Sequence, residues 1–231
     1  VADFDGDGKP DIAASNAGRN TAYELYPMPV RLFYGDTDAD GVMELAEAFA
    51  DKKTKQWKPI RALEVFTKTF PRIRGTITRN KIFAAASLPQ IIGPSFGGMK
   101  SLEIAVLSSA VFLNKTGRFE MRPLPDVAQL APAFDLCAED FDGDGAVDLF
   151  LTQNAFGVPE RYSRYDSGRG LLLRGDGAGN FAAVPASGSG IALYGEQRGV
   201  AAADFDGDGK TDLAVGQRGA ATRLFMNLKT D

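Results

Sequence analysis

Four carboxylates fall within nine residues near the start of the chain, at Asp3, Asp5, Asp7 and Asp11 of DFDGDGKPD. The pattern returns at Asp140, Asp142, Asp144 and Asp148 (DFDGDGAVD) and at Asp204, Asp206, Asp208 and Asp212 (DFDGDGKTD). Like charges this close repel one another and oppose compaction unless positive charge sits among them. Alternate residues of a tight loop can turn their carboxylates toward one point, glycine permits the bend, and the seventh residue can offer its backbone carbonyl. The expected ligands are therefore these carboxylates with the carbonyls of Lys9, Ala146 and Lys210. Together with water they fill the roughly six to eight oxygen positions that calcium accepts, while magnesium, with its stricter octahedron, comes second. One such loop would be an ordinary solvated Asp-Gly turn; three at one spacing point to metal.

A fourth acidic loop runs through Asp36, Asp38, Asp40 and Glu44, with Val42 at the seventh position. Glu47 stands twelfth, so the stretch also satisfies the EF-hand pattern. The apolar lead-in VRLFYG is strand-like and favours the nine-residue loop closed by Glu44. The following LAEAFADKK could form a helix, which keeps the EF-hand reading open.

The elements around these loops repeat. Asp140 and Asp204 are 64 residues apart, and Phe119 and Phe181, which precede them in equivalent stretches, are 62 apart. Each unit reads as strand, glycine-rich turn, Phe-bearing strand, acidic loop and strand (VDLFLTQN, TDLAVGQRG), and the tail TRLFMN looks like the start of another. Short strands at this period fit the blades of a β-propeller better than a solenoid coil or a sandwich. The Asp36 loop follows the first too closely for a whole blade between them, so that blade is expected to be shortened or rearranged. Residues 49–98 depart from the pattern. They are rich in Lys and Arg, with helical spacing at Ile60, Leu63, Phe66 and Phe70 and with Pro59 placed to open a helix, and read as a helical insertion. Strand alternation resumes at SLEIAVLSSAVFLN.

DFDGDGKPDIAAS, DFDGDGAVDLFLT and DFDGDGKTDLAVG resemble the FG-GAP/VCBS repeats of integrin-alpha-like β-propellers. With VFLNKTGRFEMRPLP, GLLLRGDGAGNF and LFMN, the longer pattern is similar to bacterial VCBS-repeat proteins that carry an ASPIC/UnbV domain. The resemblance covers most of the chain outside the basic insertion. It implies an all-β propeller over residues 1–231, in an extracellular, periplasmic or cell-surface protein, with calcium held by the first, third, fifth and ninth residues of each loop; Glu44 departs from that pattern. Such propellers have about seven blades and motifs for about four are present, so the chain, which opens on Val1, is expected to be a fragment, the alternative being an unusually small propeller.

With no histidine, Ser-His-Asp and Cys-His catalysis are excluded and the commonest zinc ligand is missing. The lone Cys137 excludes an internal disulfide and reads as a small core residue. No apolar run is long enough to span a bilayer. Sixteen of the 30 acidic residues lie in the four loops, leaving 14 against 26 basic ones. Four divalent ions would add eight positive charges to a chain of net charge −4, so the metal-loaded surface is expected to be basic. Ten Lys and Arg between Lys52 and Lys81 concentrate that basicity; they form a solvated face or a contact for a protein or acidic glycan, and no nucleic-acid motif accompanies them.

GDGAGN from Gly175 resembles a phosphate loop but lies between strands and reads as a hairpin turn. Arg174–Asp176 spells RGD, and Asn114–Thr116 a glycosylation acceptor, both at turns. The expected function is a non-enzymatic, calcium-binding interaction or adhesion scaffold. The alternative is a propeller-based polysaccharide lyase or hydrolase using residues such as Glu160 and Asp166, beside Arg161, Tyr162 and Arg164.

Overall fold

The computed structural model describes residues 1–159 and 162–228. The chain divides into two compact units: Val1–Thr21 together with Leu107 onward, and Ala22–Val106. The repeat unit opens with β1 (Ile12–Ala14). The chain then builds the inserted unit with β2 (Val30–Gly35), β3 (Glu44–Ala50), β4 (Trp57–Pro59), three short helices and β5 (Lys100–Ile104). It returns to the repeat unit as β6 (Ala110–Asn114) and β7 (Phe119–Pro123), continues through β8 (Ala133–Glu139), β9 (Asp148–Gln153), β10 (Leu171–Gly175) and β11 (Phe181–Val184), and ends on β12 (Gln197–Ala203), β13 (Asp212–Gln217) and β14 (Ala220–Phe225).

Every pairing is antiparallel, and the sheets run β1-β6-β7, β8-β9-β10-β11 and β12-β13-β14 in the repeat unit and β4-β3-β2-β5 in the inserted one. The fold is all-β, with propeller-like blades. The middle blade explains why the sequence folds this way. All six residues of β9 are buried, and they face two cores. Leu149 and Leu151 join Phe4, Val111, Leu113, Leu171 and Leu173 on one side, while Phe150 joins Phe141, Ile191, Leu193, Leu213 and Val215 on the other. A strand covered on both faces carries apolar residues at consecutive positions, and DLFL does. In two of the loops the phenylalanine after the first aspartate plugs these interfaces: Phe4 meets Phe181 edge-on at 5.7 Å, and Phe141 lies in the second core. Phe205, the last of the set, is 45% exposed.

Two strands escaped the sequence reading, β8 and β12, which precede the acidic loops. Their Ala-rich sequences, AFDLCAE and QRGVAAA, have weak strand propensity and are held by pairing with β9 and β13. The repeat is therefore phased differently in space. The four-stranded blade β8–β11 is an acidic hairpin followed by a glycine-turn hairpin, and TRLFMN supplies β14, the third strand of its own sheet, rather than the start of another unit. Cys137 on β8 packs beside the second core, and burial pushes its thiol up to about 12.

The blade expected to be shortened or rearranged is rearranged, and the Asp36 loop belongs to a separate unit inserted into it. β1 pairs with β6, Ile12 facing Phe112, and everything between Ala22 and Val106 forms the inserted unit, broader than the stretch 49–98 marked by its composition. Its helices are α1 (Leu63–Thr69), α2 (Asn80–Ala85) and α3 (Leu88–Ile92), the last opened by a Ser87–Gln90 capping box. Pro59 closes a strand instead of opening a helix, and Ile60 precedes α1. The small residues Ala46 and Ala48 leave room beside Phe33 for Phe66, Phe70, Ile73, Phe83 and Leu88, so the helices bury their apolar face on the sheet. SLEIAVLSSAVFLN divides between two sheets, as β5 and β6. Among the described residues, no helix is long and apolar enough to cross a membrane.

Candidate metal centres

All four acidic loops close by one set of local bonds. The first aspartate accepts backbone N–H bonds from residues further along its loop: Asp3 from Asp7 and Gly8, Asp36 from Ala39, Asp40 and Gly41, Asp140 from Gly143, Asp144 and Gly145, and Asp204 from Gly207, Asp208 and Gly209. The fifth aspartate accepts from the seventh residue, with the amides of Lys9, Val42, Ala146 and Lys210 lying 3.0, 2.8, 2.9 and 2.9 Å from Asp7, Asp40, Asp144 and Asp208. Short carboxylates that satisfy nearby amides make a tight turn without a ladder, and this is why Asp and not Glu occupies these positions.

The ninth residue does something the others do not. Asp11, Asp148 and Asp212 each accept the amide seven residues back (Phe4, Phe141, Phe205) on one oxygen. The other oxygen takes an amide at the end of the neighbouring strand or just beyond it: Asn114 at 2.7 Å, Gly175 at 2.8 Å and Asn227 at 2.7 Å. Each buried carboxylate thus bolts its loop to a neighbouring strand of its sheet. Gly175 must be glycine, since a Cβ there would stand 2.2 Å from the Val147 carbonyl. Burial pushes the Asp148 carboxyl up, against the two amide bonds that hold it down, and the charges of Asp142 and Asp144 push it further. Such a group favours a nearby cation.

One oxygen each from Asp3, Asp5 and Asp11 lies within 4.8 Å of the others, and the same holds for Asp140, Asp142 and Asp148 and for Asp204, Asp206 and Asp212. In the inserted unit the trio is Asp36, Asp38 and Asp40. The donor set is all carboxylate, which suits a hard cation. Asp5 and Asp38 each present a buried Oδ1 with no hydrogen-bond partner, and a buried orphan oxygen amid other carboxylates fits a divalent ion. The fifth aspartates of the repeat unit are not in these trios. Asp7 pairs with Lys9 at 2.9 Å, Asp208 with Lys210 at 3.3 Å, and Asp144 with Arg174 at 2.5 Å.

Glu44 also stands outside its trio. Its Oε2 accepts the amide and hydroxyl of Thr37 at 2.6 and 2.7 Å, so it keeps the seven-back bond but remains within its own hairpin. The EF-hand reading is excluded by the flanks. β2 leads in, and LAEAFA is β3, pairing Gly35 with Glu44, so no helix enters or leaves. Glu47 instead joins Arg61 and Tyr23: the Arg61 Nη2 donates to Glu47 at 2.9 Å, and the Tyr23 hydroxyl donates to Glu47 at 2.6 Å; burial, and then this bond, raise the phenol.

Arg174 and Lys115 engage the acidic loops, contacts that the sequence reading missed. Arg174 donates to Asp142 and Asp144 from β10, and Lys115, just past β6, pairs with Asp5. Their signal was a cation beside each glycine turn. RGD is structural: Arg174 holds the acidic loop, Gly175 donates to Asp148, and Asp176 accepts from Ala178 and Asn180 to close its hairpin. GDGAGN is that hairpin, with the Asp176 amide bonded to the Asn180 carbonyl. Asp166 pairs with Arg164 at 3.4 Å, while Glu160 and Arg161 lie outside the described residues.

Short antiparallel sheets packed face to face, each hung on an acidic hairpin at its first turn, define a repeat protein of the β-propeller type. Residues 140–215 match the FG-GAP-like repeat family and residues 1–26 the FG-GAP repeat family; the chain carries FG-GAP repeats in sequence on both sides of the inserted unit. The Asp36 loop lies outside both matches. No curated protein matches the chain.

Proposed function

We propose that this chain is a calcium-stabilised β-propeller segment acting as an interaction or adhesion scaffold of a secreted or cell-surface protein. The carrying observation is the common geometry of three loops, in which the first, third and ninth carboxylates converge while the ninth also bolts the loop to a neighbouring strand. Calcium would be held there by Asp3, Asp5 and Asp11, by Asp140, Asp142 and Asp148, and by Asp204, Asp206 and Asp212, and in the inserted unit by Asp36, Asp38 and Asp40. Water, the carbonyls of Lys9, Val42, Ala146 and Lys210, and rotation of Asp7, Asp144 and Asp208 complete the shells. The ion supplies the positive charge that the crowded carboxylates lack. The role is structural and non-catalytic, and affinities of about 10⁻⁴ to 10⁻³ M, usual for extracellular modules, suit an extracellular, periplasmic or surface location. The likeness to bacterial VCBS-repeat proteins with an ASPIC/UnbV domain supports that setting.

The partner side is the basic remainder. Arg74, Arg79 and Lys81 are exposed around α2, beside the half-exposed Ile82, and suit a protein or acidic glycan. Calorimetric melting in millimolar calcium and in excess chelator tests the calcium reading: calcium is expected to raise the melting temperature, and identical melts would overturn it.

A further inference from the structure

The first acidic loop differs from the others in holding an ammonium against a buried carboxylate of its trio. Lys115 places its ammonium on Oδ2 of Asp5, whose side chain is only 7% exposed, while Oδ1 of that carboxylate is buried and unpartnered. The backbone that carries Lys115 is fixed. Its amide donates to the Arg118 carbonyl at 2.8 Å, and the preceding Asn114 donates its amide to Asp11, the ninth residue of the same loop. The ammonium is thus aimed at the carboxylate trio by the bond that ties the loop to its strand.

The equivalent positions elsewhere lack this arrangement. After Gly175 comes Asp176, engaged in its own hairpin, and after Asn227 comes Leu228, 80% exposed. Arg174 reaches Asp142 and Asp144 from the rim, with its side chain 53% exposed. In the inserted unit, Arg72 donates to the backbone carbonyls of Thr37 and Asp38.

We propose that Lys115 is a built-in counter-ion of the first loop, holding it closed without metal and leaving Asp5 when calcium enters. This rests on the calcium reading and deepens it. A divalent ion must displace a cation from a buried trio carboxylate at this loop, whereas Arg174 meets the more exposed Asp142 from the rim, so the first site is the weakest of the chain. The remaining sites fill first and are structural; the first fills last and responds to the calcium level, and its filling releases the Lys115 ammonium to solvent at the hairpin tip.

Calcium alone, titrated calorimetrically into the chelator-stripped full chain, tests this. Wild type is expected to show a tighter class of sites and one weaker site. Asp5→Asn should delete the weaker site only. Lys115→Met should tighten it about tenfold or more, since a unit charge is removed from the trio, and should lower the melting temperature in chelator. Lys115→Gln serves equally should the Met variant fail to fold, and Lys115→Arg, which keeps the charge, should leave the site weak. Calcium binding whose constants stay within about twofold in both neutral variants overturns the role of Lys115 and leaves the calcium reading standing. No calcium binding by wild type or either variant overturns both.

Discussion

The same nine-residue loop occurs in two settings, and the difference lies in its last residue. In the repeat unit that residue is aspartate, short enough to keep its carboxylate at the strand and to accept one amide from the loop and one from the next strand. In the inserted unit it is Glu44, whose longer side chain folds back on Thr37 within its own hairpin. The loop's internal closure is otherwise shared. The first three loops are therefore parts of a blade, and the fourth is a hairpin tip attached to a sheet that finds its stability in helices. The teaching is that the repeated motif has two separable jobs, gathering carboxylates and bolting strands, and the ninth position decides whether the second is done.

The largest expected effect concerns the phenylalanine that each bolt positions. Phe4→Ala and Phe141→Ala should each cost about 3–5 kcal/mol, because both rings fill interfaces between blades. Phe205→Ala, at an exposed ring, should cost less than about 1 kcal/mol. Urea unfolding of the three variants measures the contrast, and equal losses would show that the loop itself, not the interface, needs the ring.

Next comes the bolt. Asp148→Ala leaves the amides of Phe141 and Gly175 without their acceptor and should cost about 3 kcal/mol by the penalty for orphaned buried donors. Glu44→Ala should cost about 1 kcal/mol, since the Thr37 groups lie nearer water. A Glu44 variant as damaging as the Asp148 one in the same unfolding assay would erase the distinction drawn between the settings.

Calcium removal sharpens it further. An ion at a hundred times its dissociation constant stabilises by about 2.7 kcal/mol per site. Three of the four trios lie in the repeat unit and one in the inserted unit. The only tryptophan, Trp57, lies on β4, so its fluorescence reports the inserted unit while far-ultraviolet circular dichroism reports the whole chain. Chelator should shift the dichroism transition downward more than the Trp57 transition. Equal shifts would mean that the inserted unit depends on metal as the blades do.

What the sequence disclosed follows the range of the interactions involved. The loops, the glycine hairpin at Asp176 and the starts of β7 and β11 at Phe119 and Phe181 are set by neighbours within a few residues, and were legible. The ninth aspartate's second bond was not, because Asp11 meets Asn114 across 103 residues. The pairing of β1 with β6 was hidden for the same reason, and with it the true extent of the inserted unit. β8 and β12 were missed because alanine gives no period to read. The EF-hand alternative survived in the sequence because LAEAFA suits helix or strand, and only its pairing with β2 decides. Lys115 and Arg174 lay in plain view, but which carboxylates they face depends on strand register.

The smallest expected effect separates acid sensitivity of the loops from that of the blades. Glu196 lies outside the acidic loops and accepts the amides of Phe156 and Gly157, with Arg198 at 2.8 Å and Arg218 at 3.7 Å. The Phe156 amide is foremost in holding its carboxyl below the usual glutamate range, and the two guanidinium groups and Gly157 add to this against the opposing effect of burial. Because the folded-state pKa is depressed, the unfolded chain binds a proton here more readily than the folded one. The stability it contributes is present above the unfolded value of about 4.5 and is lost as pH falls from there through the folded value. Glu196→Gln should therefore flatten the decline in melting temperature below about pH 4.5 while leaving the effect of chelator at pH 7 unchanged. A variant that declines as steeply as wild type would assign the acid response to the loop carboxylates rather than to the blades.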